Sequence, residues 1–529
     1  MKLRFFRLNF YILFILVVAA ILRFYQIDQP FIDAFSWRQS STAMMADNFY
    51  RTNRNIFYPE VNWGGAGPGY QGREFQTVSY LAALLYPIVG QQDWVGRSIA
   101  VMFGLWGIFA LYQLVRRVWD EEHALMSAAV MALLPGSIFI ERSFLPDPAM
   151  VALVTTSLWM LVAYLQTGRR HYLILAGVIG SWGFLSKITG LIVGLPMMYA
   201  IVTILGRKKM LHPKKLGLLG VVAVLGLIPV VAYYLWARHL SLSYPPYHFA
   251  GEGNWLWDDG LTNWLSKTYF LPGLSHIFNT WLWTAPVIAL VFFGLIFPPP
   301  REKPTQNSPV NFSGKAPWLF HWWFLGGVIY YLIGAKELVN NPWNFHLINP
   351  AAAAIAGHAI LVTASLWNPV WRSPISLSII AAFLFFIASF GQAGLQWVYK
   401  PYAYESYKLG LALRQFSQPG DLVVTLANTL GDPIPIYYSQ RRGWVFPPVI
   451  EDGVLPQFPE DDNEAIQMFE EMRAKGADWL GIVEERKKDF WTDHLTLVEH
   501  IKRTCEFKAK TPEWVIYRIF SPEEMAKLP

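Results

Sequence analysis

The chain has 529 residues, 54% of them hydrophobic and 16% aromatic but only 15% charged, with a mean hydropathy of +0.29. Soluble domains carry about a quarter charged residues, so the composition excludes an ordinary soluble protein and indicates one embedded in a membrane. The net charge of +6 comes from short basic clusters between apolar runs, not from a basic groove interleaved with aromatics, which sets nucleic acid aside as a partner.

The first apolar run, 8–24, follows Lys2, Arg4 and Arg7. A signal peptide or a retained helix fits that pattern. Arg23-Phe-Tyr-Gln-Ile-Asp-Gln-Pro30 follows in place of a small-x-small cleavage site, so a retained helix is expected. A helical span needs about 17–25 largely apolar residues. Further runs of that kind lie near 95–115, 122–141, 148–166, 171–186, 188–205, 215–236, 278–297, 317–335, 347–366 and 374–393, giving eleven expected spans. Another apolar piece, 75–90, is shorter and begins among polar residues.

The basic clusters decide how that piece is read. Cytoplasmic loops are enriched in Lys and Arg. Lys2/Arg4/Arg7, Arg116-Arg117, Arg169-Arg170, Arg207–Lys209 with Lys214-Lys215, Arg301/Lys303/Lys315, and Arg372 all fall on one side only if 75–90 does not cross. The expected topology therefore has 75–90 as an interfacial or re-entrant helix, the N-terminus inside, and residues 396–529 outside. The outer face receives 25–94, the turn 142–147, Lys187 in a tight turn, 238–277, 336–346 and 394–529.

On that face stand Asp33, Arg38, Glu74, Arg142, Asp147 and Lys187, ionisable groups at or near bilayer depth. Such groups are costly unless they pair, line a wet cavity or bind something. Cations there suit a phosphate, Arg as a fork and Lys as a point charge. A carboxylate suits a general base on an acceptor hydroxyl or amine. A substrate with a phosphate at the membrane surface and an apolar tail in the bilayer is a polyprenyl-phosphate sugar.

Several stretches carry a family resemblance. They are Asp33 with Trp37-Arg38-Gln39 and Thr42 through Asn48-Phe49; Glu74 before 75–90; Gly96-Arg97-Ser98; Arg142 with Leu145-Pro146-Asp147-Pro148; Ser186-Lys187-Ile-Thr-Gly190 followed by Pro196; and Asn344-Phe-His346-Leu-Ile-Asn-Pro350, similar to an H-x-Y-x-L-x-P stretch. In this order the chain resembles the GT-C membrane glycosyltransferases, and within them glycosyltransferase family 39: protein O-mannosyltransferases, aminoarabinose transferases and their bacterial relatives. The resemblance covers about 1–365, and is weaker at Tyr437–Trp444.

The resemblance implies a mainly helical GT-C fold and direct, inverting transfer of a sugar from a polyprenyl-phosphate donor on the extracytoplasmic side. Asp33 would be the catalytic base, with Glu74 and Asp147 as supporting acids. Lys187, Arg142 and Arg38 would hold the donor phosphate, and Trp37, Gln39, Tyr80 and His346 would contact substrate. Many members carry Asp-Glu at the first acid. Here Ala34 and Phe35 follow Asp33, leaving Glu74 or Asp147 to replace the second carboxylate. No cofactor is named; a divalent metal stays open, with no metal-ligand cluster in the sequence to support it.

Each residue also has a plainer reading. Asp33 could cap a helix or pair with Arg38. Asp147 before Pro148 is expected at an N-cap anyway. Lys187 could snorkel, and Trp37 with Arg38 could anchor at an interface. Trp255, Trp257, Trp264, Trp281 and Trp283 suit an aromatic belt, and Asp258-Asp259 a solvated turn. Gly64–Gly69 lacks the Lys-Ser/Thr ending of a phosphate loop and reads as a flexible loop. The lone Cys505 excludes an internal disulfide.

Two domains are expected: 1–395 in the membrane and a small α/β domain over 396–529. The strand signals there are Leu422–Ala427, Asp478–Val483 and 513–520, with a helix at Asn463–Lys475 stopped by Gly476. The domain would recognise the acceptor, form a lid or act as a structural cap. The rival reading of the whole chain is a transporter or flippase of lipid-linked sugars, which usually shows repeats with broken helices in both halves.

Overall fold

The computed structural model describes residues 2–210, 213–249, 270–300, 316–339, 341–368, 370, 373–449, 457–484 and 488–526. Asp258-Asp259, Trp255, Trp257, Trp264, Arg301, Lys303, Lys315 and Arg372 lie outside the described residues. The chain divides into two compact units. One comprises Met1–Ile27, Arg97–Tyr233 and Gly253–Val398, the other Asp28–Gly96, Tyr234–Glu252 and Tyr399–Pro529.

The first unit is helical, and each of the eleven apolar runs lies on helix. Six helices among the described residues are long and apolar enough to cross a bilayer, or seven if the pair Gly273–Leu282 and Ala285–Ile296, bent by 101°, is one span. Pro135 splits the run 122–141 into Glu121–Leu133 and Pro135–Ile140. Proline has no N–H to give the carbonyl four residues back. Here that carbonyl belongs to Met131, and Arg23 of the first helix supplies the missing donor, reaching Met131 O at 3.3 Å and Ala132 O at 3.1 Å.

Small residues draw the helices together. Asp147–Thr167 and Arg170–Ser186 form a hairpin turned by Gly168, whose φ of 71° suits a residue without Cβ. A methyl group on Gly180 would meet Ser157 Oγ at 2.6 Å, and one on Gly183 would meet Val154 Cγ1 at 2.8 Å. Lipid gives helices no hydrophobic reason to associate, so close approach at such positions supplies the packing energy.

The second unit is built on a six-stranded mixed sheet of order β2-β5-β4-β6-β8-β7. Its strands are β2 (Gly64–Gly65), β4 (Leu422–Leu426), β5 (Arg442–Val445), β6 (Ala477–Val483), β7 (Cys505–Lys510) and β8 (Trp514–Ile519). β5 and β6 run parallel to β4, and the other pairs are antiparallel. β1 (Glu60–Val61) and β3 (Gly69–Tyr70) form a separate two-stranded ladder. Alternate residues of β4 face opposite cores, as the two-residue period of a strand requires. Val424 and Leu426 join Phe469, Leu497 and Ile501 on one face, while Val423 joins Met44, Phe49, Leu409 and Leu413 on the other.

The helices of 25–94 thus share a core with residues of 399–529. Helix Asp462–Ala474 and strands β4, β6 and β8 match the signals in the sequence, whereas β2, β5 and β7 carry no such signal. The glycine loop is fastened rather than loose. β2 pairs with β5, and Arg442 reaches Glu60 Oε1 and the carbonyl of Gly67, each at 2.5 Å.

Candidate active site

In the second unit the stretch that opens the outer loop becomes the start of helix Ser36–Arg51. Phe35 precedes it with φ 63°, a left-handed turn that is uncommon for a bulky side chain. Asp33 is 2% exposed. Its Oδ1 accepts hydrogen bonds from the Ser36 hydroxyl and from Gln39 Nε2, the latter at 3.0 Å. Gln39 therefore orients the carboxylate.

Arg38 does not pair with Asp33. It reaches Glu74 Oε2 at 2.7 Å, and each of those side chains is 11% exposed. The ion pair joins two groups expected to serve substrate, one on phosphate and one as an acid. His248 joins them from the segment 234–252, where its carbonyl accepts from Gly72 N at 3.0 Å. Burial holds the His248 imidazole at a pKa of about 4, Arg38 pushes the same way, and Glu74 opposes. Trp37 is exposed. The Tyr80 hydroxyl donates to Arg54 O at 3.2 Å and its ring meets Phe49 edge-on. Tyr80 lies on helix Thr77–Val89, whose outward residues Leu84, Leu85, Ile88 and Val89 are exposed while Val78, Ala82 and Tyr86 are buried.

In the first unit, three turns meet. Asp147 is the first residue of its helix, with Pro146 at the N-cap and no side-chain cap bond, so the expected capping role gives way to another. Its Oδ1 accepts from Lys187 Nζ at 2.7 Å, and Asn344 Oδ1 accepts from the same nitrogen at 2.7 Å. Lys187 sits at the break between helix Arg170–Ser186 and the short helix Ile188–Val193. It is 7% exposed, which does not fit a side chain snorkelling outward. Arg142 is fully buried and holds the end of the first helix, reaching Tyr25 O at 3.2 Å and Gln26 O at 2.6 Å.

His346 is enclosed. Its Nε2 lies 3.3 Å from Glu141 Oε1, and its Nδ1 lies 3.1 Å from Asn349 Nδ2. Asn349 in turn accepts from Trp283 Nε1 at 2.8 Å, which gives that tryptophan a buried partner rather than a place in an aromatic belt. The 3-10 helix Pro342–Ile348 therefore sends Asn344 to Lys187 and His346 to Glu141. Glu141, Asn344 and His248 carry no role in the sequence reading. Glu141 adjoins Arg142, and Asn344 stands two residues before His346 in the quoted stretch. His248 has no local signal at all.

Among the described residues no group of three or more His, Cys, Asp or Glu side chains is arranged to hold a metal.

A family model for the dolichyl-phosphate-mannose-protein mannosyltransferases matches residues 77–233, a stretch containing Arg142, Asp147 and Lys187. ArnT from Cupriavidus metallidurans bound to undecaprenyl phosphate is similar in structure, with a TM-score of 0.61 at 14% identity, covering 96% of this chain and 98% of that one. The oligosaccharyltransferase of Archaeoglobus fulgidus in its apo form is similar at a TM-score of 0.57 and 12% identity, over 94% of this chain and 73% of that one. The chain shares the fold of these proteins, the GT-C fold expected from its sequence. A search of curated protein sequences found no match. At these identities the fold is shared but side-chain roles are not transferred.

Proposed function

We propose that this protein is a glycosyltransferase that moves a sugar from a polyprenyl-phosphate donor to an acceptor on the extracytoplasmic face. The acceptor is a lipid, glycan or protein. The observation that carries the reading is Lys187, a buried ammonium at a break between apolar helices, held by Asp147 and Asn344. An ammonium has three N–H donors. Two go to these oxygens, and among the described residues no third acceptor meets it. The remaining donor suits a phosphate oxygen, and Arg142 adds positive charge in the same turn as Asp147. The bound undecaprenyl phosphate in the similar ArnT structure supports a lipid phosphate as the ligand.

In the proposed reaction Asp33 takes the proton of the acceptor's attacking group. That group forms a bond to the anomeric carbon from the face opposite the phosphate. The bond from the anomeric carbon to the phosphate oxygen breaks, and the electron pair leaves on the polyprenyl phosphate. Configuration inverts and no covalent enzyme intermediate forms. Lys187 and Arg142 stabilise the charge gathered on the leaving phosphate. Ser36 and Gln39 keep the Asp33 carboxylate oriented. Arg38 and Glu74 hold each other in an ion pair. The topology that goes with this mechanism has the N-terminus cytoplasmic, Thr77–Val89 flat at the outer interface, and 396–529 outside.

A transporter of lipid-linked sugars is the second reading, and the helix pair bent by 101° is the observation that favours it. Incubation of the purified protein with radiolabelled polyprenyl-phosphate sugars and membrane lipids separates the two. Sugar transfer that falls in Asp33→Asn supports the enzyme. Movement of donor between leaflets without transfer supports the transporter. A cysteine introduced within 91–94 labels with an impermeant reagent from outside if the topology is right.

A further inference from the structure

Asn344 is the unassigned member of the Lys187 junction. Asp147 and Lys187 are 1% and 7% exposed, whereas Asn344 is only half-buried and forms the open end of the group. Its Oδ1 lies 2.7 Å from the Lys187 ammonium. An ammonium has no lone pair, so the amide must turn its oxygen towards it and its NH2 the other way. Among the described residues nothing accepts from that NH2. Asn344 thus spends its acceptor on Lys187 and keeps two donors, beside the one donor Lys187 keeps. Asp147 offsets the charge of Lys187, and an amide adds two N–H donors for a bound anion without changing the charge of the group.

We infer that Asn344 is a second ligand to the phosphate of the lipid donor, its NH2 binding the same oxyanion as Lys187. The inference rests on the reading of Lys187 as a phosphate ligand. It also assigns the 3-10 helix Pro342–Ile348 a part in binding, since that helix carries Asn344.

The test uses the full-length protein in detergent, with binding of undecaprenyl phosphate measured against undecaprenol, the same chain without phosphate. Wild type binds the phosphate form more tightly. Asn344→Asp retains an oxygen for Lys187, loses both N–H donors and adds negative charge. It weakens undecaprenyl phosphate by about tenfold or more, the worth of one charge-assisted hydrogen bond. It leaves undecaprenol and the melting temperature near wild type. Asn344→Ala, which adds no charge, weakens the phosphate form as well and provides the second measurement if Asn344→Asp does not fold. Wild type that fails to distinguish the two lipids overturns this inference together with the reading beneath it. Wild type that distinguishes them, with Asn344→Asp within twofold of wild type, overturns this inference alone: Asn344 would then only hold Lys187 in place. Loss of the phosphate preference in Lys187→Met but in neither Asn344 variant overturns it in the same way.

Discussion

Arg23 Nε lies 2.6 Å from Glu141 Oε2, and neither side chain is more than 1% exposed. The pair ties the first helix to the turn that carries Arg142 and Asp147. The same guanidinium covers the carbonyls left open by Pro135, and the same carboxylate meets His346. One ion pair therefore links three elements of the helical unit. Breaking it from one side leaves a buried charge without its partner. Arg23→Met is expected to destabilise the protein by about 3–5 kcal/mol, and Arg23→Met with Glu141→Gln by less than the single change. Thermal unfolding in detergent reads both.

Asp33→Asn keeps an oxygen to accept from Ser36 and Gln39, so the local structure is expected to survive. The base is lost. General base catalysis contributes about 10²–10⁴-fold, so kcat is expected to fall by that much with little change in donor binding. A variant that transfers sugar at the wild-type rate would remove Asp33 from the mechanism.

Lys187→Met raises the donor KM and also strands Asp147, whose carboxylate is buried against that ammonium. The two effects separate in a double variant. Lys187→Met with Asp147→Asn is expected to recover much of the about 3 kcal/mol lost by the single change while donor binding stays weak. Recovery of both would mean that Lys187 serves stability alone.

Asp47 supplies a pH dependence. It lies on Ser36–Arg51, outside the apolar spans, and its Oδ1 is sealed from solvent without a hydrogen-bond partner. Burial raises its carboxyl to about 7, with Asp93 adding to the rise and Gln91, Arg51 and Tyr86 opposing it. The folded pKa lies above the unfolded one of about 4. The folded state therefore holds the proton more firmly, and this contribution to stability is full below pH 4 and lost as pH rises towards 7. Asp432, raised to about 6 by burial, acts with the same sign. Asp47→Asn is expected to stabilise the protein at pH 8, on the order of 2 kcal/mol, and to flatten the melting curve between pH 4 and 7. A wild-type stability that climbs over that window, unchanged in Asp47→Asn, would contradict the assignment.

Much of the helical unit was legible because apolar length reports directly on helix: every run read from sequence lies on one. The break within 122–141 has its cause in Pro135, but hydropathy averages across a proline without registering it. In the second unit β4, β6 and β8 were legible as short apolar strands. β2 was not, since Gly64–Gly65 has no strand propensity of its own and pairs only because β5 offers it a ladder.

The sequence by itself determined that this protein is embedded in a membrane, that its ionisable groups gather at a few breaks between apolar helices, and that the order of those breaks resembles a GT-C enzyme. Side-chain partners were decided by the tertiary structure. Arg38 went to Glu74 rather than Asp33, Asp147 to Lys187 rather than its own helix end, and His346 to Glu141. The reason is one of range. Hydropathy and propensity are properties of neighbours along the chain. A buried charge is satisfied by whatever the packing brings within about 3 Å, here residues 36, 40 and 205 positions apart for these pairs.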